Sequence, residues 1–567
     1  MKQPPSILAS VGVIATLIAA GVRHVVTCPG SRNAPLLYAA AAAQDLGLLT
    51  LHPRSDERVA GFHGLGLSLG DGHRPVAVLV TSGTAVANLH PAMVEAAHAG
   101  VPLLAISADR PEELHGTGAN QTTDHYGMFS PAVPTVQLQA TDLGAAAQGV
   151  SMAVAAEAIA AAVRHRQQLM PVHLNIELRD PLVPTVAVDT DAMVALRATL
   201  QDAIIAAERT YAATSAVDPV AVAAEQIDPA PLTIDRTVVV AGHDAGPGAG
   251  ALATAMGWPL IAEVTSNSGR APHWVESYRT AIVDQLERGA QIDQIIVIGR
   301  PTLSRELTRL LTLPTAKLIA IAQQYGGVDK WANPLGRAAM TLDAVPANWL
   351  VPRPKSSRRE AFALSWSPDA ASRQQCRDTA SWDGRTVAAV VAQTADVRDL
   401  LVLGPSGPIR LIDDQPEPVQ ATVLANRGLS GIDGVISTAY GAAQVWSGGA
   451  VRALMGDLTF LHDLNALQTG AGEPVPSLQI VVVNDRGGTI FAGLEHGDVA
   501  RSGAHAARAV DRLLTTAPQA DIGALCAGYS VRHVQVLDAS ALEAAIRTPA
   551  RGITVIEALV SKTSTTS

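Results

Sequence analysis

Val451-Arg452-Ala453-Leu454-Met455-Gly456-Asp457 and Leu478-Gln479-Ile480-Val481-Val482-Val483-Asn484-Asp485-Arg486-Gly487-Gly488 are two short, mostly apolar runs, each ending in a polar tip that contains glycine. Runs this apolar belong to strands buried on both faces, the habit of a parallel sheet. If the two strands are neighbours, both tips leave the sheet at its carboxyl edge, where open α/β sheets bind ligands. Two side-chain oxygens and a main-chain carbonyl there form a hard oxygen set that suits Mg²⁺ and leaves coordination positions for a diphosphate. Either tip alone reads as a turn, because Asp, Asn and Gly are turn formers. The pair at this spacing favours a metal and diphosphate site.

The same rhythm of short Val/Ile/Leu strands and Ala-rich helices extends through the chain in three blocks. The first has strand candidates at 24–27, 75–81, 103–108 and 171–177, with helices such as 84–99 and 143–165 between them. Ser6 is placed to cap a helix that stops at Gly21 and feeds the first strand. Asp218-Pro219 and Asp228-Pro229-Ala230-Pro231 mark a linker around 209–235, and the second block runs from Thr237-Val238-Val239-Val240 through Ile295-Ile296-Val297-Ile298. Pro346, Pro352, Pro354 and the cluster from Ser356 to Arg359 suggest a second crossing, and the third block adds strands near 400–403 and 553–558. The expected domains are 1–187, 188–355 and 356–567.

Composition narrows the function. The chain has 567 residues, 48% hydrophobic and 16% charged, enough apolar surface for several cores and too little charge for general disorder. A net charge of −10 without a dense basic run argues against nucleic acid, and aromatics at 3% argue against a base-stacking platform. Five of the 41 basic residues are lysine, leaving 36 arginines, a bias that suits forked contacts with carboxylates and phosphates. Cys28, Cys376 and Cys526 lie far apart without metal spacing, which fits a reducing cytoplasm. Lys2 and the apolar stretch from Ile7 to Val22 imitate a signal peptide, but Pro4 and Pro5 interrupt the basic region, and no apolar run suits a membrane span.

The two polar tips resemble the metal and diphosphate motif of thiamine diphosphate enzymes, which opens Gly-Asp-Gly and closes Asn-Asn. Here the third position is Leu458 and the closing pair is Asn484-Asp485. Counting back from Gly487, whose carbonyl is the third ligand, puts the side-chain ligand at Asp485; Asp serves as well as Asn, with one more negative charge. Such a cofactor also needs a carboxylate to hold its pyrimidine ring in the tautomer that favours loss of the thiazolium proton. Ser55-Asp56-Glu57-Arg58-Val59-Ala60 offers Glu57, just before the glycine-rich helix 60–70. Glu57 also reads simply as a helix N-terminal carboxylate favoured by the macrodipole.

Further motifs sharpen the resemblance. Cys28-Pro29-Gly30-Ser31-Arg32-Asn33-Ala34-Pro35-Leu36, Thr81-Ser82-Gly83-Thr84-Ala85, Ala108-Asp109-Arg110-Pro111 and Gly118-Ala119-Asn120-Gln121 follow one another in the first block. Ser406-Gly407-Pro408-Ile409-Arg410, Asn426-Arg427-Gly428 and Gly431-Ile432-Asp433-Gly434 follow in the third. In this order they resemble the 2-succinyl-5-enolpyruvyl-6-hydroxy-3-cyclohexene-1-carboxylate synthase family of menaquinone biosynthesis. The resemblance implies three parallel-sheet α/β domains of the thiamine diphosphate-dependent superfamily: a pyrimidine-binding domain, a central domain and a diphosphate- and metal-binding domain. It implies decarboxylation of 2-oxoglutarate and addition of the succinyl unit to isochorismate, with thiamine diphosphate and Mg²⁺ or Mn²⁺ as cofactors. It also implies a homodimer or homotetramer in which different subunits contact the two ends of one cofactor.

By the same resemblance Glu57 is the catalytic carboxylate, and Gly456, Asp457, Leu458, Ile432 and Asp485 join it around the cofactor. Asp457, Asp485 and the carbonyl of Gly487 carry the metal. Ser31, Arg32, Arg110, Gln121 and Arg305 hold isochorismate; Ser406, Arg410 and Arg427 hold the 2-oxoglutarate side, and Ile490 and Phe491 form an apolar wall. The family can carry a Lys-Arg pair where this chain has Ser304-Arg305, so one cationic contact is expected to be missing unless Arg300 compensates. Each residue has a plainer reading: Arg as a surface ion pair, Gln121 as a backbone partner, and Ile432, Ile490 and Phe491 as core. The rival enzyme is another thiamine diphosphate-dependent 2-oxoacid carboligase or decarboxylase, which the Ser-Arg-Asn-Ala-Pro and Ser-Gly-Pro-Ile-Arg motifs disfavour. A non-catalytic relative is disfavoured by Glu57, Asp457 and the Arg set together. A nicotinamide dehydrogenase is weaker still, because Gly242-His243-Asp244-Ala245-Gly246-Pro247-Gly248 lacks the dinucleotide spacing.

Overall fold

Side chains alternate across a strand, and in this protein both faces of every sheet are apolar. Val25, Ala77, Leu79, Leu104 and Ile106 pack into one core, while Val26, Val78, Val80, Leu103 and Ala105 pack into another. Helices therefore cover both sides, and the pairings are parallel. The structure, a computed structural model, describes residues 3–138, 170–185, 191–215, 232–321, 336–367 and 381–561.

The first sheet runs, edge to edge, Thr50–Pro53, His24–Thr27, Val76–Val80, Leu103–Asp109, Val172–Glu177, Thr135–Leu138. The central sheet runs Met340–Leu342, Lys317–Ile321, Gln294–Ile298, Thr237–Ala241, Leu260–Ala262. The third runs Thr422–Leu424, Leu400–Leu403, Val451–Gly456, Leu478–Asn484, Ile553–Leu559, Arg532–Val536. Numbered within each sheet by chain order, the first and third share the order 2-1-3-4-6-5. Each thus has a crevice where the chain reverses direction across the sheet, between its first and third strands. Gly456 pairs with Val483, so Asp457 and Asn484 leave adjacent strands side by side.

Several local expectations change. Ser6 does not cap the first helix, Pro5–Ala19; its hydroxyl donates to the carbonyls of Arg179 and Pro181 (2.8 Å each), and Pro4 stands at the cap. The helix expected over 84–99 is two, Thr84–Asn88 and His90–Ala99, separated at Leu89 with Pro91 opening the second. Residues 209–215 of the expected linker complete the helix Ala192–Ser215, whose Leu196, Leu200 and Ala207 join the first core beyond residue 187. Ser356 caps the helix Ser357–Leu364 instead of standing in an open crossing. The expected helix 143–165, Cys376 and the Pro-rich 216–231 lie outside the described residues. Among the described residues no helix is long and apolar enough to cross a membrane.

The first and third domains meet along the helices Glu57–Gly70 and Val435–Val445, where glycines let the backbones approach. A Cβ on Gly66 would lie 2.0 Å from the Thr438 carbonyl oxygen, and one on Gly441 would lie 2.2 Å from that of His63. Gly66→Ala is expected to cost about 1–3 kcal/mol through overpacking. Gly127→Ala, where a Cβ meets nothing within 4 Å, is expected to stay within about 0.5 kcal/mol of the parent. Denaturant midpoints of the two variants check this.

Candidate active site

Glu57 is the first residue of the helix Glu57–Gly70, and Asp56 caps it by accepting from the Arg58 and Val59 N–H groups (3.0 and 3.2 Å). The helix start is tied to the third domain: Arg58 donates to the His462 carbonyl (2.8 Å), Asn465 to Asp56 (2.8 Å) and Arg54 to the Gln468 carbonyl (2.6 Å). The Glu57 side chain is half-buried and has no hydrogen-bond or ion-pair partner among the described residues. A carboxylate held in place without a partner is available to a ligand. Buried Cys28 stands close enough that burial and then the Glu57 charge push its thiol well above the usual range.

Asp457 opens the helix Asp457–His462 at the strand tip and is 2% exposed. Its carboxylate accepts from the N–H groups of Leu458 (2.7 Å) and Gly487 (2.8 Å), a bond that draws the two tips together. Burial raises its pKa against these hydrogen bonds, so a cation at the tip would be favoured there. Arg486 and Gly487 both have positive φ (+63° and +119°), and a Cβ on Gly487 would lie 2.4 Å from the Thr515 carbonyl. A Cβ on Gly456 would meet nothing within 4 Å, so open space lies over that tip. A cavity of about 170 Å³ beside it is lined by Asp457, Asn484 and Arg486 among others. Asn484 is engaged elsewhere, its amide donating to Glu557 (2.6 Å), while Asp485 accepts from the Thr489 hydroxyl. Asp457, Asp485 and the Gly487 carbonyl fit Mg²⁺ held with phosphate oxygens, since that ion takes one or two carboxylates and completes its shell from ligand and water. Among the described residues no three His, Cys, Asp or Glu side chains converge into a closed cage.

The first group of predicted anion contacts gathers at the carboxyl edge of the first sheet. Arg32 donates to the Leu178 carbonyl (2.8 Å) and lies 3.3 Å from Asp180. Arg110 donates to the Ser82 hydroxyl and to the Gln121 carbonyl (3.1 Å); Gln121, at φ +58°, returns a bond to the Ser82 carbonyl (2.9 Å). Burial and the neighbouring Arg32 lower the Arg110 pKa. Ser31 is exposed at the same edge.

His125 was not foreseen. The Gly83 N–H donates to its Nε2 (2.8 Å), which fixes the proton on Nδ1, and Nδ1–H donates to Asp109 (2.8 Å). Burial opposes the Asp109 charge, but the hydrogen bonds from His125 and Asn175 prevail and hold its pKa below the usual range. The pair pins the Gly83 turn, at φ +74°, against the Gln121 side chain.

The second group gathers around the third sheet. Ser406, at φ +74°, precedes the helix Gly407–Asp413, and Arg410 donates to the Ser406 carbonyl (2.8 Å). Arg427, 5% exposed, donates through Nε to the Thr302 hydroxyl (3.1 Å) and through Nη2 to its carbonyl (2.9 Å). Burial lowers the pKa of both arginines, and each also feels further cations. Arg305 is near enough to repel Arg410 but projects outward and pairs with Glu495 (2.6 Å), both side chains 69% exposed. Ser304 accepts from the Leu307 N–H (3.1 Å) and caps the helix Arg305–Leu311; where the family can carry Lys, this chain has a cap. Arg300 donates to the His98 carbonyl, and its charge is felt at Arg427.

Two carboxylates that spacing did not disclose hold this second group. Glu95 accepts from the Gly428 and Leu429 N–H groups (2.6 Å each), clamping the Arg427 loop from the first domain. Glu263 accepts from the Thr302 and Leu303 N–H groups (shortest 2.8 and 2.7 Å), and burial raises its pKa. Ile432 is 36% exposed, and Ile490 and Phe491 sit half-buried in the turn Thr489–Gly493.

Residues 9–128 match the family described as thiamine pyrophosphate enzyme, N-terminal TPP binding domain. Nearly the whole chain is similar to curated proteins named 2-succinyl-5-enolpyruvyl-6-hydroxy-3-cyclohexene-1-carboxylate synthase. The protein from Nocardioides sp. is 40% identical over 97% of this chain and 94% of its own. That from Paenarthrobacter aurescens is 42% identical over 97% and 93%, and that from Kineococcus radiotolerans 37% over 99% and 96%.

Proposed function

This chain belongs to the 2-succinyl-5-enolpyruvyl-6-hydroxy-3-cyclohexene-1-carboxylate synthases of menaquinone biosynthesis, and from that premise we propose how its residues divide the work. The reaction removes carbon dioxide from 2-oxoglutarate and adds the succinyl unit to isochorismate. The observation that carries this reading is a family match running the length of the chain, through all three domains. When bound, thiamine diphosphate supplies the sink for the electron pair released with carbon dioxide.

Glu57 holds a proton at the pyrimidine end of that cofactor, a role supported by its half-buried, unpartnered carboxylate at a fixed helix start. Asp457, Asp485 and the Gly487 carbonyl would hold Mg²⁺ or Mn²⁺, and Gly456, Leu458 and Ile432 would line the cofactor. Ser31, Arg32, Arg110 and Gln121 take the carboxylates of isochorismate. Arg305 joins them by exchanging Glu495 for substrate, since an exposed ion pair is weak. Ser406, Arg410 and Arg427 take 2-oxoglutarate, and Ile490 and Phe491 exclude water. The first domain acts as the pyrimidine-binding domain and the third as the diphosphate- and metal-binding domain.

A homodimer or homotetramer completes the site, with the first domain of one chain facing the third domain of the partner. Its support is the 36% exposure of Ile432, a residue of the proposed cofactor site left open to solvent in a single chain. A cytoplasmic location fits the free, buried Cys28 and Cys526. Steady-state kinetics of two variants test the division of substrates. Arg110→Ala is expected to raise KM for isochorismate about ten- to hundredfold and leave that for 2-oxoglutarate near the parent value; Arg410→Ala is expected to do the reverse. Equal effects of either variant on both substrates would contradict the division.

A further inference from the structure

Arg410 sits mid-way along a helix of only seven residues, so its position depends on what anchors the helix ends. Asp413 is the last residue of that helix, and its side chain is fully enclosed. Among the described residues, the three groups that bind its carboxylate come from the central domain. Oδ1 accepts from the Val264 N–H (2.7 Å); Oδ2 accepts from the Tyr278 hydroxyl (2.5 Å) and from Arg279 Nη2 (2.6 Å). A second tie lies close by, where Asn267 of the central domain donates to the Val423 carbonyl and accepts from its N–H (2.9 Å each) on the edge strand Thr422–Leu424.

The central domain also carries the Thr302 group that fixes Arg427. The 2-oxoglutarate pocket is thus assembled across a domain boundary, and Asp413 is the enclosed charge that sets the Arg410 helix against the other side. It has an electrostatic task as well: Arg279 repels Arg410, and Asp413 stands bonded to that cation. A neutral residue at 413 would remove the carboxylate bonded to Arg279, leaving Asp414 to offset that cation beside Arg410, and would free the helix end.

We infer that Asp413 is a positioning residue for 2-oxoglutarate, acting through Arg410 by latching its helix to Val264, Tyr278 and Arg279. The inference rests on the assignment of Arg410 to 2-oxoglutarate, and the experiment separates the two. Asp413→Asn, Arg410→Ala and the double variant are compared by steady-state kinetics on holoenzyme, with thermal midpoints and cofactor affinity recorded. Asp413→Asn is expected to raise KM for 2-oxoglutarate about tenfold, with KM for isochorismate and cofactor affinity within about twofold of the parent. In the Arg410→Ala background the same change is expected to add nothing further to KM.

Additive effects, or an unchanged KM for 2-oxoglutarate while Arg410→Ala raises it, would overturn the inference alone. An Arg410→Ala variant with an unchanged KM for 2-oxoglutarate would overturn the assignment beneath it. A general loss affecting both substrates and the cofactor would show a merely structural role and also overturn it. If Asp413→Asn does not fold, Tyr278→Phe, which removes one of the three bonds, is expected to raise KM for 2-oxoglutarate about threefold by the same selective route, and no selective rise would refute the latch.

Discussion

Glu57→Gln is expected to lower kcat by about two to four orders of magnitude, the range that a positioned acid-base group contributes. Glutamine keeps the size of the side chain and its place at the helix start, but it cannot hold or release a proton there. The Asp56 cap and the Arg58 and Arg54 ties to the third domain do not involve the Glu57 side chain. The thermal midpoint and thiamine diphosphate affinity are therefore expected to stay close to the parent values. Single-turnover carbon dioxide release and a thermal scan on the same preparation give both readouts. Near-normal turnover would remove Glu57 from the proposed mechanism.

Asp457→Ala is expected to produce the second large effect. Its carboxylate has two tasks: it accepts from the Leu458 and Gly487 N–H groups, which joins the two strand tips, and it presents buried negative charge at the carboxyl edge. Alanine removes both. Altering a group one shell out from a metal costs about 10- to 100-fold in affinity, so loss of a direct ligand should weaken Mg²⁺-dependent thiamine diphosphate binding by at least about a hundredfold. Calorimetric titration with and without Mg²⁺ checks this, and unchanged Mg²⁺-dependent affinity would move the diphosphate site elsewhere. Asn484→Ala is the contrasting variant: its amide is spent on Glu557, so a loss of strand-end stability is expected without a comparable loss of metal dependence.

These expectations were open to sequence reading because they depend on neighbours along the chain. The tips after Met455 and Val483 are legible because apolar runs place polar residues at strand ends, and the register of Gly456 with Val483 sets them side by side. The central strands were legible for the same reason. Short edge strands such as Thr50–Pro53 and Leu260–Ala262 were not, since their patterns are too brief to stand apart from loops. The break at Leu89 follows from Pro91, but it was hidden within an otherwise continuous Ala-rich stretch. Ser6 has the right chemistry for a cap and uses it on carbonyls beyond residue 178, a tertiary choice that local sequence does not reveal.

The residues that organise the site were the least legible. Glu95 and Glu263 accept from backbone N–H groups that any residue supplies, and Asp413 accepts from one such group as well as from Tyr278 and Arg279, all in segments remote along the chain or in another domain. No side-chain pattern advertises such a bond. His125 bonds Asp109 only because two segments meet at one sheet edge, and nothing in the spacing requires it. The common strand order of the first and third domains is likewise a property of the sheets, carried by different sequences. Motifs thus name the groups that face ligands, whereas the buried carboxylates that aim them emerge from tertiary structure.

The central claim is tested most directly by incubating the protein with thiamine diphosphate, Mg²⁺, 2-oxoglutarate and isochorismate, following isochorismate loss and identifying the product by mass, with each component omitted in turn. The expected result is a succinylated cyclohexene carboxylate that forms only when all four are present. Carbon dioxide release from 2-oxoglutarate with isochorismate unconsumed, or no product with the cofactor demonstrably bound, would contradict it.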